Sequence, residues 1–134
     1  MRVLAAAGLL SACFSASAWD PSGTWFNLDP NTGQTHHIVI NGLTIHGFGQ
    51  CTPDPCDWGT TPLTKLVATH DRGNEDRVEY LALWDFGFKF TAMMISRHPE
   101  NPDYLIVKTY DLYSYKGDPR QDRYTIEYLK KSSP

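Results

Sequence analysis

Histidines, cysteines and a Cys-Asp-Trp-Gly run are the residues whose types and spacing could do chemistry. His36, His37 and His46 fall in two β-type runs on either side of Asn41-Gly42. That dipeptide favours a type I′ hairpin, whose two central residues both need positive φ. Counting back from it pairs Ile40 with Leu43 and His37 with His46, with Cβ atoms about 5 Å apart on one face. Facing imidazoles can hold a transition metal, so a metal-dependent enzyme using His37 and His46 is one reading. A catalytic zinc generally wants a third protein ligand, and no carboxylate is placed to supply it. The plainer reading is a solvated histidine pair, with no metal and no cofactor. His36 and His37 are adjacent on a strand, so they should point to opposite faces and not chelate together.

Cys51 and Cys56 close a short Pro-rich loop, Cys51-Thr52-Pro53-Asp54-Pro55-Cys56. In an oxidising compartment this pair reads as a local disulfide. Structural zinc would need four ligands, and neither a second Cys pair nor a His-x3-His accompanies it. The following Cys56-Asp57-Trp58-Gly59 is the best binding candidate: a loop stiffened by disulfide and prolines, offering the Asp57 carboxylate beside the flat Trp58 ring. The competing reading has Asp57 capping the loop amides and Trp58 sealing one end of the fold.

Signatures of catalysis are missing. No Gly-x-Ser-x-Gly elbow or His-Glu-x-x-His helix occurs. Asp85-Phe86-Gly87 matches the kinase tripeptide by letters only. With both cysteines of the loop joined, no thiol nucleophile remains there. The expectation is a protein that binds and does not catalyse.

The elements that must position these residues are short. After Trp19, β-type runs alternate with turn signals: 22–27, 35–40, 43–49, 63–69, 77–84, 88–95, 104–113 and 123–130. Gly, Pro, Asn and Asp clusters separate them. No helix of ten or more residues, repeat or linker interrupts the pattern. About eight antiparallel strands at regular spacing predict an all-β, up-and-down barrel, since closure removes exposed sheet edges. A β-sandwich is the runner-up. Tyr104, Tyr110, Tyr113, Tyr115, Tyr124 and Tyr128 crowd the final third and would suit a contact surface.

Two resemblances bear on this. Gly23-Thr24-Trp25 resembles the Gly-x-Trp opening of calycin barrels, the lipocalins and avidins. In those families the Trp plugs the barrel floor under a basic side chain of the last strand, here Lys130 or Lys131. Asn27 then stands where an avidin-type pocket would present a polar contact, although the rest of the avidin lining is not traceable. The segments Trp25-x-Asn27-x-Asp29-Pro30-x-Thr32 and Gly49-x-Cys51-x-Pro53-x-x-Cys56-Asp57-Trp58-Gly59 resemble a group of small bacterial exported domains. That resemblance implies an exported, disulfide-clipped barrel and supplies no reaction.

The N-terminus fits export. Met1-Arg2, an apolar run to Phe14 and the small-x-small Ala16-Ser17-Ala18 have the three parts of a secretory signal over residues 1–18. Leu10-Ser11-Ala12-Cys13 also resembles a lipobox, which would lipidate Cys13 and tether the chain. Cleavage after Ala18 is preferred because it follows the fuller apolar stretch, and residues 19–134 would then form one barrel domain. Without Arg2, the 12 Lys and Arg become 11 against 15 Asp and Glu, a formal charge of −4. With no basic stripe, nucleic acid and anionic membranes are poor partners, and no run reaches the 20 or so apolar residues of a transmembrane helix. The sequence thus points to a secreted, periplasmic or envelope protein. Its expected ligand is a small molecule, glycan or protein at the barrel rim, with Asp57, Trp58 and Asn27 as candidate contacts. An inhibitor or structural envelope protein acting through its surface is the other non-catalytic reading.

Overall fold

A computed structural model describes residues 19–69 and 78–133. The eight strands are β1 (Gly23–Asn27), β2 (Thr35–Asn41), β3 (Thr44–Gly49), β4 (Cys56–Val67), β5 (Val78–Asp85), β6 (Phe90–Arg97), β7 (Tyr104–Leu112) and β8 (Arg123–Lys131). Each pairs antiparallel with the next, and β1 closes on β8 through Trp25↔Lys131, Phe26↔Lys130 and Asn27↔Leu129. The closed barrel replaces the sandwich alternative. Among the described residues no helix is long and apolar enough to cross a membrane. The signal reading and Cys13 fall in residues 1–18, outside the described residues.

Period-two alternation explains the closure. On β5, Val78, Tyr80, Ala82 and Trp84 point inward while Glu79, Leu83 and Asp85 face out. On β7 the inward phase is Leu105, Val107, Thr109 and Asp111. Burying each Leu or Ile of such a phase contributes about 1.5–3 kcal/mol. The lumen is graded along its axis. One end is filled by Ile40, Ile45, Leu63, Val78 and Ile95, with Trp25 above them. Trp25 donates its indole N–H to the Pro21 carbonyl at 2.9 Å, and Lys131 Nζ lies 5.6 Å from its ring centroid. Of the two lysines proposed for that place, Lys131 takes it. Towards the other end the buried residues turn polar: Gln34, Thr35, Thr91, Thr109, Asp111 and Glu127.

Three local features depart from the sequence reading. The β2–β3 link is Gly42-Leu43, with Asn41 paired to Thr44. Gly42 has φ +60° and, among the described residues, no non-glycine residue has positive φ, so the turn follows the II′ pattern, in which only the first central residue needs it. Partners therefore move by two positions: His37 faces Phe48 and His46 faces Val39. Secondly, His36 is the extra residue of a bulge between Thr35 and His37. A bulge re-aims side chains, and His36 Nδ1 comes within 2.7 Å of His37 Nδ1 rather than pointing away. Thirdly, β4 begins at Cys56, so Asp57 and Trp58 belong to a strand and not to a loop.

Candidate functional site

The polar end of the barrel opens into a cup of about 340 Å³. The Cys51–Cys56 disulfide, with Cα atoms 5.4 Å apart, forms part of its wall. Trp58 makes the apolar floor. A second bulge, between Gly47↔Gly59 and Phe48↔Asp57, leaves Trp58 without a partner in the ladder. Its ring turns inward over two glycines. A Cβ on Gly47 would lie 2.7 Å from Trp58 Cε3, and one on Gly49 would lie 2.7 Å from Nε1. Both positions are glycine because the indole occupies the space. Trp84 and Phe86 pack edge-on against Trp58 with centroids 5.4 and 6.1 Å away. The Trp58 indole N–H has no hydrogen-bond acceptor among the described residues.

Opposite the tryptophan stand two cations on one buried acid. Asp111, 1% exposed, accepts from Lys89 Nζ at 2.9 Å, Thr91 Oγ1 at 2.9 Å and Arg123 Nε at 3.0 Å. Burial alone would raise its pKa. The hydrogen bonds from Lys89, Arg123 and Thr91 outweigh it and hold the carboxyl below the usual aspartate range. Lys89 is further enclosed by Phe86, Phe88 and Tyr113, whose centroids are 5.6, 5.8 and 5.6 Å from Nζ. Arg123 is more open. Among the described residues its guanidinium reaches, apart from Asp111, only Gln34 Oε1, at 3.4 Å.

Asp57 and Trp58 are separated by the pleat. Asp57 belongs to the cup wall by position, but its exposed carboxylate accepts from the Gly59 N–H at 2.8 Å and lies 2.6 Å from His46 Nε2 on the outer surface. Those contacts, His46 first, hold its pKa below the ordinary value. The carboxylate beside a flat ring that the sequence implied is not formed. Asn27 lies apart from the cup. Its side-chain amide donates to Thr32 Oγ1 and the Thr35 carbonyl, each at 2.8 Å, and to Glu127 Oε2 at 2.9 Å. Glu127 Oε2 also accepts from Thr32 and the Thr35 N–H, while its Oε1 is buried without a partner.

The histidines form part of a row on the outer face. Phe26, His37, Phe48 and His46 stack in that order, with successive centroids 5.0, 4.2 and 4.3 Å apart. Phe48 sits between His37 and His46, so those two imidazoles are not cross-strand neighbours and cannot share an ion. Among the described residues no group of three or more His, Cys, Asp or Glu side chains is placed to hold a metal. Burial, then the positive charge of His36 and His46, lowers the pKa of His37.

Lys89, Asp111 and Arg123 were missed in the sequence, although the signal for Asp111 was there. It continues the inward phase of Leu105, Val107 and Thr109, and a charge in that phase needs partners within the barrel. A larger recess, about 540 Å³, lies at the opposite end along Leu66, Val67, Val78 and Ser96. The chain next to it in sequence, 70–77, is outside the described residues.

No family model, curated protein or solved structure matches this chain. What the site can bind has to follow from its own residues.

Proposed function

We propose that this protein is an exported binding domain that takes a small molecule into the cup at the disulfide end of its barrel. The observation that carries this reading is the division of the interior. Side chains fill the lumen from Trp25 to Met93, whereas the rim keeps about 340 Å³ of open space over Trp58. Ligand pockets begin at about 300 Å³, with apolar walls and a few convergent polar groups, and the cup has both. Export is supported by the signal-like N-terminus and the Cys51–Cys56 disulfide. The binding role needs no catalytic group, and the residues around the cup are arranged as walls and anchors.

A thermal-shift screen of small planar compounds tests the reading. Compounds that raise the melting temperature of the wild type should lose most of that effect in Phe86→Ala. A screen in which stabilising compounds act equally on Phe86→Ala would move the site elsewhere.

A second reading, action through the outer surface, is favoured by one observation. Tyr124, Ile126 and Tyr128 make an exposed row on the outer face of β8, each more than 40% accessible. A protein partner covering that row would make this an inhibitor or envelope component. Protection of these three tyrosine and isoleucine positions from surface labelling in native envelope extracts would support it.

A further inference from the structure

The charge balance inside the cup narrows the class of ligand, given that the cup is the binding site. Two cations, Lys89 and Arg123, face one acid, Asp111, which is buried and fully engaged by them. The other acid of the cup wall, Asp57, turns its carboxylate to His46 on the outer surface. Nearby cations are already matched: Arg120 holds Asp118, whose pKa falls to about 2, and Lys116 holds Asp85. Asp122 spends its carboxylate on the Tyr113 and Ser114 N–H groups and the Ser114 hydroxyl. Lys89 and Arg123 therefore outnumber the one carboxylate they share, within walls made by Trp58, Phe86 and Phe88.

The donors tell the same story. A guanidinium offers five N–H groups, and Arg123 uses two, one of them over a long 3.4 Å contact. The Trp58 indole N–H also has no acceptor among the described residues. Unused donors, a surplus charge and three aromatic walls fit one kind of guest. A charge-assisted hydrogen bond in an apolar surround is worth more than one in water.

We infer that the cup binds a small planar apolar molecule carrying one anionic group, such as an aryl carboxylate or sulfonate, and that Arg123 anchors the anion. Flat carbon rests on Trp58, Phe86 and Phe88, while the anion takes the free N–H groups of Arg123. Lys89, enclosed by three rings, keeps Asp111 ionised and Arg123 in place.

Two fluorescent probes with the same carbon skeleton test this. 8-Anilinonaphthalene-1-sulfonate carries a sulfonate and N-phenyl-1-naphthylamine does not. Titrated into the full-length mature protein, the sulfonate should bind at least about tenfold more tightly, as one charge-assisted hydrogen bond requires. Arg123→Gln should remove that preference and leave the neutral probe's affinity unchanged. Arg123→Lys should retain part of it, and Lys116→Gln, which removes a matched cation, all of it. Phe88→Ala should weaken both probes. Equal affinity of the two probes in the wild type, with Phe88→Ala weakening both, would overturn the anion assignment and leave the cup as the site. Binding that ignores Phe88→Ala, or no binding at all, would overturn the cup itself.

Discussion

The Trp58 indole stands in the place of a side chain on Gly49: a Cβ there would be 2.7 Å from Nε1. The floor of the cup and a glycine on the neighbouring strand are thus one feature. Gly49→Ala forces the ring, or the strand, to move, and overpacking of this kind costs about 1–3 kcal/mol. The urea midpoint should fall with the m-value unchanged, and probe affinity should fall with it. An alanine variant as stable as wild type would mean that Trp58 does not lie over Gly49.

Reduction of Cys51–Cys56 should weaken the protein without unfolding it. The closed loop is short, with a sequence separation of 5, and the chain-entropy model gives about 2 kcal/mol for such a loop. Both thiols should resist alkylation until a reductant is added, and the reduced form should keep its β-sheet circular dichroism. Prompt labelling of the native protein would contradict the disulfide.

Stability should fall with pH in two separate windows. His37 titrates below its ordinary value of 6.5 when folded. The unfolded chain therefore binds the proton first, and stability declines as pH drops below about 6.5. Asp111 is also lowered, from 3.8. Its contribution is complete above that value and is lost as pH falls through the folded pKa. His37→Asn should flatten the denaturation profile between about pH 7 and 5.5 and leave the acid limb intact. A profile that keeps its upper slope in His37→Asn would assign that slope to another group.

Asn27 should matter to stability and not to binding. Its amide holds the buried Glu127 carboxylate, and removing one donor from a buried charged group costs about 1–3 kcal/mol. Asn27→Ala is expected to lower the melting temperature while leaving sulfonate-probe affinity at the wild-type value. A loss of affinity without a loss of stability would return Asn27 to the binding site.

Strand rhythm made the barrel legible, because inward and outward residues alternate on nearly every strand. The β2–β3 hairpin was legible too, and its turn centre was off by one residue because Asn-Gly outweighed Gly-Leu as a turn signal. An error of that size moves partners by two, so His37 and His46 stayed on the correct face while Phe48 slipped between them. The bulges at His36 and Trp58 have no short-range signature, since each is fixed by pairing with β3. Pro53, Pro55 and the disulfide made Cys56-Asp57-Trp58-Gly59 look like loop, although the strand starts at Cys56. The cup was legible only in part. Trp58 was singled out, but Gln34, Phe86, Lys89 and Arg123 come from four separated stretches that only barrel closure brings together.

The most direct test of binding at the rim is an indole ¹H–¹⁵N NMR titration with 8-anilinonaphthalene-1-sulfonate. Four tryptophans report on different depths: Trp58 in the cup, Trp84 beside it, and Trp25 and Trp19 towards the opposite end. The expected result is a saturable shift of the Trp58 signal together with the Arg123 Nε–H, with Trp25 and Trp19 unmoved. A shift led by Trp25 or Trp19, with Trp58 unchanged, would contradict a ligand site in the cup.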